Sequence, residues 1–357
     1  MTAAYGDRPR YVPALDGLRA LAVLLVLWSH VLPDTQGYPE WLKRARLWFA
    51  PGEFGVEIFF VLSGFLITRI LLAEHERGRP VRWFLLRRAL RIFPIYYLLL
   101  AIVWLQRGGD DVPWCAVYLS NFWFAFGGGI TSLTHTWSLC VEVHFYLLWP
   151  PIVAFGGLVI ARRALWFGIL PLGLLAIAWL VWIAPSPHTE LALRYSSPVR
   201  FLSLGAGCLL ACAEPTIRNA PRRWLAYGLG FLLLGGTTSN ALLVGLPLHL
   251  GRAPLLDPAH FQLSYLLSTL LLSCGAMLCC LCARERGPLR VLATAPLRAI
   301  GRISYGLYLY HLPLFHWLGE PATPTSQATA LAASFAAAAV SYFAIERPLL
   351  RFAARFR

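Results

Sequence analysis

Residues 54–73 read FGVEIFFVLSGFLITRILLA. Twenty helical residues rise about 30 Å, the thickness of the hydrocarbon core of a bilayer. Runs of similar character recur near 18–32, 92–106, 137–160, 164–184, 198–213, 224–240, 261–282, 300–318 and 326–345, which makes ten in all. They predict an all-α, polytopic integral membrane protein of about ten transmembrane helices. Ten spans use about 200 of the 357 residues. What remains is loops and tails, so residues 1–357 are expected to form a single transmembrane domain. No long internal repeat is visible, which gives an inverted-repeat transporter no support.

Composition agrees. The hydrophobic fraction is 58%, the charged fraction 13% and the mean hydropathy +0.61. A soluble domain carries nearly twice that charge, so a soluble enzyme, a disordered chain and a coiled coil are disfavoured. The net charge of +14 comes from 31 basic and 17 acidic residues. Because the basic residues fall between apolar runs, the excess points to topology and not to nucleic acid. With both termini cytoplasmic, 24 of the 31 fall on the inner side. Seven fall outside: Lys43, Arg44, Arg46, Arg107, Arg194, Arg200 and Arg252. That asymmetry follows the positive-inside rule. Segment 112–127, aromatic and ending in three glycines, is therefore expected to lie at the outer interface, because an eleventh span there would invert every later loop. The N-terminal Asp7-Arg8-Pro9-Arg10 precedes an uncleaved first span. The eight cysteines show no zinc spacing with histidine, so no metal is expected.

Ionisable residues inside apolar runs are costly and point to function. The first run holds Asp16, Arg19 and His30. Arg19 and His30 are eleven residues apart, so they share one helix face and stand about 16 Å apart along the axis. A histidine near neutrality can take a proton from a hydroxyl. The alternative is a structural histidine bonded to a backbone carbonyl. The loop Glu74 to Arg91 ends in Arg87-Arg88-Ala89-Leu90-Arg91. Arg88 and Arg91, at i and i+3, face one way, and guanidinium forks suit phosphate; basic inner loops also serve topology alone. In the run after Trp137, Ser138, Glu142 and Tyr146 line one helix face, with Glu142 at a depth comparable to His30. That carboxylate either orients an imidazole or pairs with a basic residue for packing. His144 points elsewhere and reads as structural. Near the C-terminus, Tyr308 and His311 stand at i and i+3 in a hydroxyl-rich stretch that lines an acceptor pocket or anchors at the interface.

Five blocks in order now give a specific pattern: Leu15-Asp16-Gly17-Leu18-Arg19-Ala20 running to His30; Phe59-Phe60-Val61-Leu62-Ser63-Gly64-Phe65-Leu66-Ile67; Arg88 and Arg91 followed by Ile92, Pro94, Tyr96 and Tyr97; Trp137-Ser138-Leu139 to Glu142 with Phe145-Tyr146; and Ile303-Ser304-Tyr305-Gly306 to His311. A closing Glu346-Arg347-Pro348 fits as well. From about Tyr11 to Leu350 the chain resembles the acyltransferase-3 family of bacterial membrane O-acyltransferases. The resemblance implies that Arg19 and His30 are functionally required and that Arg88 and Arg91 serve acyl-CoA on the cytoplasmic side. Two departures stand out. Val143 and His144 occupy positions where many members carry a further acidic or amide residue, and a stand-alone form is expected, without the soluble hydrolase-like domain that some relatives carry after the last span.

The implied activity is transfer of an acyl group, acetyl in the first instance, from acyl-CoA to a hydroxyl of a cell-envelope saccharide. Acetyl-CoA is then a donor substrate and not a resident cofactor. His30, Glu142 and Arg19 are the catalytic candidates, Arg88 and Arg91 the donor site, and Tyr146, Ser138, Tyr308 and His311 the acceptor site. The expected location is the inner (plasma) membrane, with lipid, acyl-CoA and a saccharide or lipid-linked glycan as partners. Two alternatives remain: acylation of a small secreted molecule such as a macrolide, and a glycan or lipid transporter or flippase, which needs no Arg-x-x-Arg site for coenzyme A. Oligomeric state is left open.

Overall fold

The computed structural model describes residues 11–31, 52–183, 186, 188–240, 258–282, 288–319 and 323–356. Among these residues the regular structure is helical throughout, with no strand. In chain order the helices are α1 (Pro13–Val31), α2 (Gly52–Glu76), α3 (Val81–Arg107), α4 (Asp111–Ala116), α5 (Ser120–Ala125), α6 (Trp137–Ala164), α7 (Leu170–Ala178), α8 (Thr189–Tyr195), α9 (Ser197–Cys212), α10 (Glu214–Asn219), α11 (Pro221–Asn240), α12 (Pro258–Cys282), α13 (Ala295–Trp317), α14 (Pro324–Ser341) and α15 (Arg347–Ala353). Arg8, Arg10, Lys43, Arg44, Arg46, Arg252, Arg284, Arg286 and Arg357 lie outside the described residues, as does the Asp7–Arg10 stretch.

Six helical stretches among the described residues are long and apolar enough to cross a membrane: Pro13–Val31, Glu53–Glu76, Val81–Arg107, Thr134–Ile183, Gln262–Cys282 and Pro324–Phe356. The fourth, 50 residues long, carries two of the ten expected runs. The backbone leaves helical geometry near the end of the first, at Gly156 and Gly157, and the second opens with a π-helical stretch at Leu165–Ile169. The runs at 198–213, 224–240 and 300–318 are helical but fall short of that measure, α9 through length and α13 through its tyrosines and histidines. Large apolar side chains stand on the outside, among them Leu105, Phe155, Phe167, Leu175 and Trp182. An apolar exterior of this extent faces lipid. The protein is a membrane protein.

Helix α2 lies inside the bundle, with Ile58, Phe60, Val61, Leu62, Phe65 and Ile67 buried. It packs against α1, α6, α9 and α12. At Gly64 a Cβ would lie 2.0 Å from the Leu204 carbonyl of α9, so the two backbones touch and only glycine fits. Gly301 of α13 meets the Asp16 carbonyl of α1 in the same way, at 2.1 Å. That contact sets α13 alongside α1 and fixes the relation of their polar residues. Helix α6 breaks at Gly156 and Gly157, where φ reaches +56° at Gly157. The His75 Nδ1 lies 3.1 Å from the Ala154 carbonyl beside this break, and a carbonyl there can only accept.

Two expectations change and a third agrees. The stretch Glu74 to Arg91 is not a loop: α2 continues to Glu76 and α3 begins at Val81. Arginine, leucine and alanine are good helix formers, so Arg87, Arg88 and Arg91 sit on α3 within the bundle. Arg200 is not an outer loop residue. It lies on α9 at 1% exposure and pairs with Glu57 of α2. Arg200 also stacks on Trp137, 5.2 Å from the ring centre. Segment 112–127 forms α4 and α5, six residues each. At about 9 Å such a helix is too short to span, and Trp114, Val117, Leu119 and Phe126 stay exposed. This agrees with an interfacial segment.

Candidate active site

Helices α1, α2, α3, α6 and α13 surround an open cavity. Arg19, Arg88 and Arg91 enter from α1 and α3, Ser63 from α2, Glu142 and Tyr146 from α6. Val56, Phe59, Phe60 and Leu139 form apolar wall. The expected stripe of Ser138, Glu142 and Tyr146 lines one side together.

At the polar end three guanidiniums and one carboxylate, Glu142, line the cavity, while Asp16 pairs with Arg19 and Glu346 acts on Arg91 from outside the lining. The Tyr146 hydroxyl donates to Glu142 Oε2 at 3.4 Å and lies 3.4 Å from Ser63 Oγ. Arg88 and Arg91 act on Glu142 electrostatically. Arg88 lies over the rings of Phe84 and Tyr146, at 5.3 and 5.7 Å. Arg19 donates to Asp16 at 3.1 Å, and Tyr11 donates to the other Asp16 oxygen at 2.6 Å. Burial and the Asp16 carboxylate raise the Tyr11 phenol, which stays a donor. Guanidiniums lining a cavity with low-dielectric walls suit an anionic ligand, phosphate above all. Arg87, the third arginine of the run, turns away. It pairs with Glu74 and donates to the Phe356 carbonyl at 2.7 Å, tying the C-terminal segment to α3.

At the other end of α1 the chain builds a cluster of imidazoles. His30 Nδ1 lies 3.3 Å from His311 Nε2, with ring centres 5.0 Å apart. His135 stands on the far side of His311, ring centres 5.1 Å apart. Its Nε2 donates to the Leu309 carbonyl at 3.0 Å. No imidazole is among the described residues lining the cavity; between cavity and cluster stand Tyr308 and Ser138, the Tyr308 ring 5.5 Å from that of His135 and 5.7 Å from that of His311. Both line the cavity, and both hydroxyls bond the His135 carbonyl, at 2.9 and 3.2 Å. The ring partner given to His30 is thus His311, while Glu142 stands among hydroxyls and guanidiniums. The alternative reading of a backbone-bonded histidine also holds in part, since His30 Nδ1 is 2.9 Å from the Val26 carbonyl.

His144 is placed as expected, away from this site. Its Nδ1 lies 2.7 Å from Ser197 Oγ, and its ring stacks on Phe122. Sequence reasoning missed His135, Ser63 and the Glu57–Arg200 pair. Ser63 lay in a quoted block, and a polar residue in so apolar a run was the available signal. His135 precedes its span by two residues, where a loop histidine carries no periodicity. Cys115 and Cys140 are unbridged and buried; they bond Thr136 and Ser120 respectively.

The sequence matches the family described as "Acyltransferase domain" over residues 12–346. It is 30% identical to the peptidoglycan O-acetyltransferase OatA of Listeria monocytogenes, an alignment covering 95% of this chain and 56% of that protein. It is 26% identical to the O-acetyltransferase OatA of Staphylococcus aureus, covering 86% of this chain and 51% of that one. The chain therefore spans about half the length of the curated relatives it matches. No solved structure matches it.

Proposed function

The chain belongs to the acyltransferase domain family, and from that premise we propose that it moves an acetyl group from acetyl-CoA to a hydroxyl of peptidoglycan or a related envelope glycan. The names of the relatives support the acceptor class. The observation that carries the reading is one cavity running from Arg19, Arg88 and Arg91 to Tyr308, whose ring lies 5.7 Å from that of His311, the neighbour of His30.

In this reading Arg88 and Arg91 hold the phosphates of coenzyme A. Arg19, tied to Asp16, contributes charge to the same end. Glu142 balances the guanidiniums and, with Tyr146 and Ser63, fixes the width of the passage. The acetyl end lies toward Tyr308. His30 acts as general base on the acceptor hydroxyl, and a positioned histidine is worth about 10²–10⁴ in rate. Entry of donor and acceptor from opposite ends agrees with the ~16 Å between Arg19 and His30 along α1. The same reading keeps ten spans, cytoplasmic termini and an inner-membrane location. Ser138 and Tyr308 then border the acceptor.

The test is purified full-length chain in lipid nanodiscs with acetyl-CoA and a soluble muropeptide. Release of free thiol matched by acetylated glycan is the expected result. Movement of glycan or lipid across the bilayer without thioester consumption would instead favour the transporter.

A further inference from the structure

We propose that His311 is a positioning residue for His30: it holds the His30 ring with its proton on Nδ1, so that Nε2 is the base. The inference rests on the base role proposed above for His30.

The argument starts from atoms that can only accept. The Tyr308 carbonyl oxygen lies 2.7 Å from His311 Nδ1, so that nitrogen carries the proton. In a neutral imidazole the other nitrogen is then a lone pair, and His311 Nε2 aims it at His30 Nδ1, 3.3 Å away. The Val26 carbonyl oxygen faces the same His30 atom at 2.9 Å. Ser29 Oγ donates its own proton to that carbonyl at 2.8 Å and so presents a lone pair to His30 Nδ1, 3.5 Å away. Three acceptors converge on one nitrogen, which must be N–H. Neutral His30 therefore has no proton on Nε2.

His311 is itself immobilised. It is fully buried, its ring set edge-on against Phe315 and His135. The 52° tilt between the His30 and His311 rings brings nitrogen edge to nitrogen edge, not face to face. This gives His311 the place that a carboxylate holds in a Ser–His–Asp triad, the third group that orients the base. A neutral acceptor avoids burying a further charge.

In the transfer step the acceptor O–H bond breaks and its proton binds His30 Nε2. The hydroxyl oxygen forms a bond to the acetyl carbonyl carbon, and the carbon–sulfur bond to coenzyme A breaks. The departing thiolate takes the proton back from His30. While His30 is an imidazolium, its Nδ1–H becomes a stronger donor, and His311 Nε2 accepts from it. That interaction is strongest when charge has developed, which is the condition for raising kcat and not merely binding.

Two variants test this. In His311→Gln the amide oxygen accepts from His30 while the amide nitrogen donates to the Tyr308 carbonyl. His311→Leu can do neither. With acetyl-CoA and a soluble muropeptide, His311→Leu is expected to lower kcat about tenfold or more with KM for the glycan unchanged, and His311→Gln to restore most of it. A raised KM with unchanged kcat in His311→Leu would make His311 an acceptor contact and overturn the inference. An inactive His30→Ala beside a fully active His311→Leu would sink this inference alone, whereas an active His30→Ala would sink the base assignment itself. A second readout needs no turnover. Nitrogen-15 NMR of the full chain labelled at histidine should find His30 protonated on Nδ1 and bare on Nε2. The opposite tautomer would overturn the proposal.

Discussion

The Tyr308 and Ser138 hydroxyls lie 2.7 Å apart, one on α13 and the other on α6. Both bond the His135 carbonyl, so this contact ties the cavity wall to the imidazole cluster. Tyr308→Phe removes one hydroxyl and leaves Ser138 to serve the carbonyl alone. The expected cost is about 1–2 kcal/mol of stability, with a fall in kcat as the Thr134–Thr136 turn loosens beside His311. Thermal unfolding and steady-state kinetics check it. Unchanged stability with a raised acceptor KM would mean that the Tyr308 hydroxyl binds acceptor directly.

Arg88 and Arg91 should act on the donor and not on the acceptor. Arg88→Ala and Arg91→Ala are each expected to weaken coenzyme A binding about tenfold, the worth of a charge-assisted contact of roughly 1.5 kcal/mol. Arg88→Lys should recover only part of it, since an ammonium cannot reproduce the planar fork or its stacking on Tyr146. Calorimetric titration with coenzyme A reads the effect, and affinity equal to wild type would remove the phosphate assignment.

The Glu57–Arg200 pair is a matter of stability. Both side chains are essentially inaccessible, and Arg200 Nε also donates to the Arg194 carbonyl at 2.6 Å. Glu57→Ala or Arg200→Ala leaves an uncompensated buried charge and should cost about 3–5 kcal/mol. Replacing both, as Glu57→Leu with Arg200→Met, should recover much of that loss. Unfolding of the three variants in one detergent decides it. Additive losses in the double variant would contradict the account.

The proposed orientation has its own check. Arg162 donates to the Cys212 carbonyl at 2.9 Å, near the ends of α6 and α9. In the ten-span arrangement this point is cytoplasmic. A single cysteine at position 162 should react with a permeant thiol reagent and not with an impermeant one applied from outside. Labelling from outside would overturn the topology.

Much of this site could be read along the chain, for physical reasons. Arg19 and His30 share a helix face by periodicity, and Ser138, Glu142 and Tyr146 do so again. Contacts between helices were not legible. Nothing local says that Glu57 meets Arg200 across 143 residues, or that His311 reaches His30 across 281. Those pairings depend on which helices pack, which Gly64 and Gly301 govern by close approach. Glu142 shows the same limit: its depth suggested an imidazole, but crossing geometry sets it among Ser63, Tyr146, Arg88 and Arg91. The arginine run before residue 92 was misjudged because basic loops and basic helix ends look alike in one dimension.

The most direct test of the central claim is acetyl transfer by His30→Ala beside wild type, both as purified full chains in nanodiscs with acetyl-CoA and a soluble muropeptide. Coenzyme A binding by each is measured in parallel. The account predicts a loss of kcat of about 10²-fold or more with donor affinity retained, because His30 stands at the far end of α1 from the arginines. Undiminished transfer by His30→Ala would contradict it.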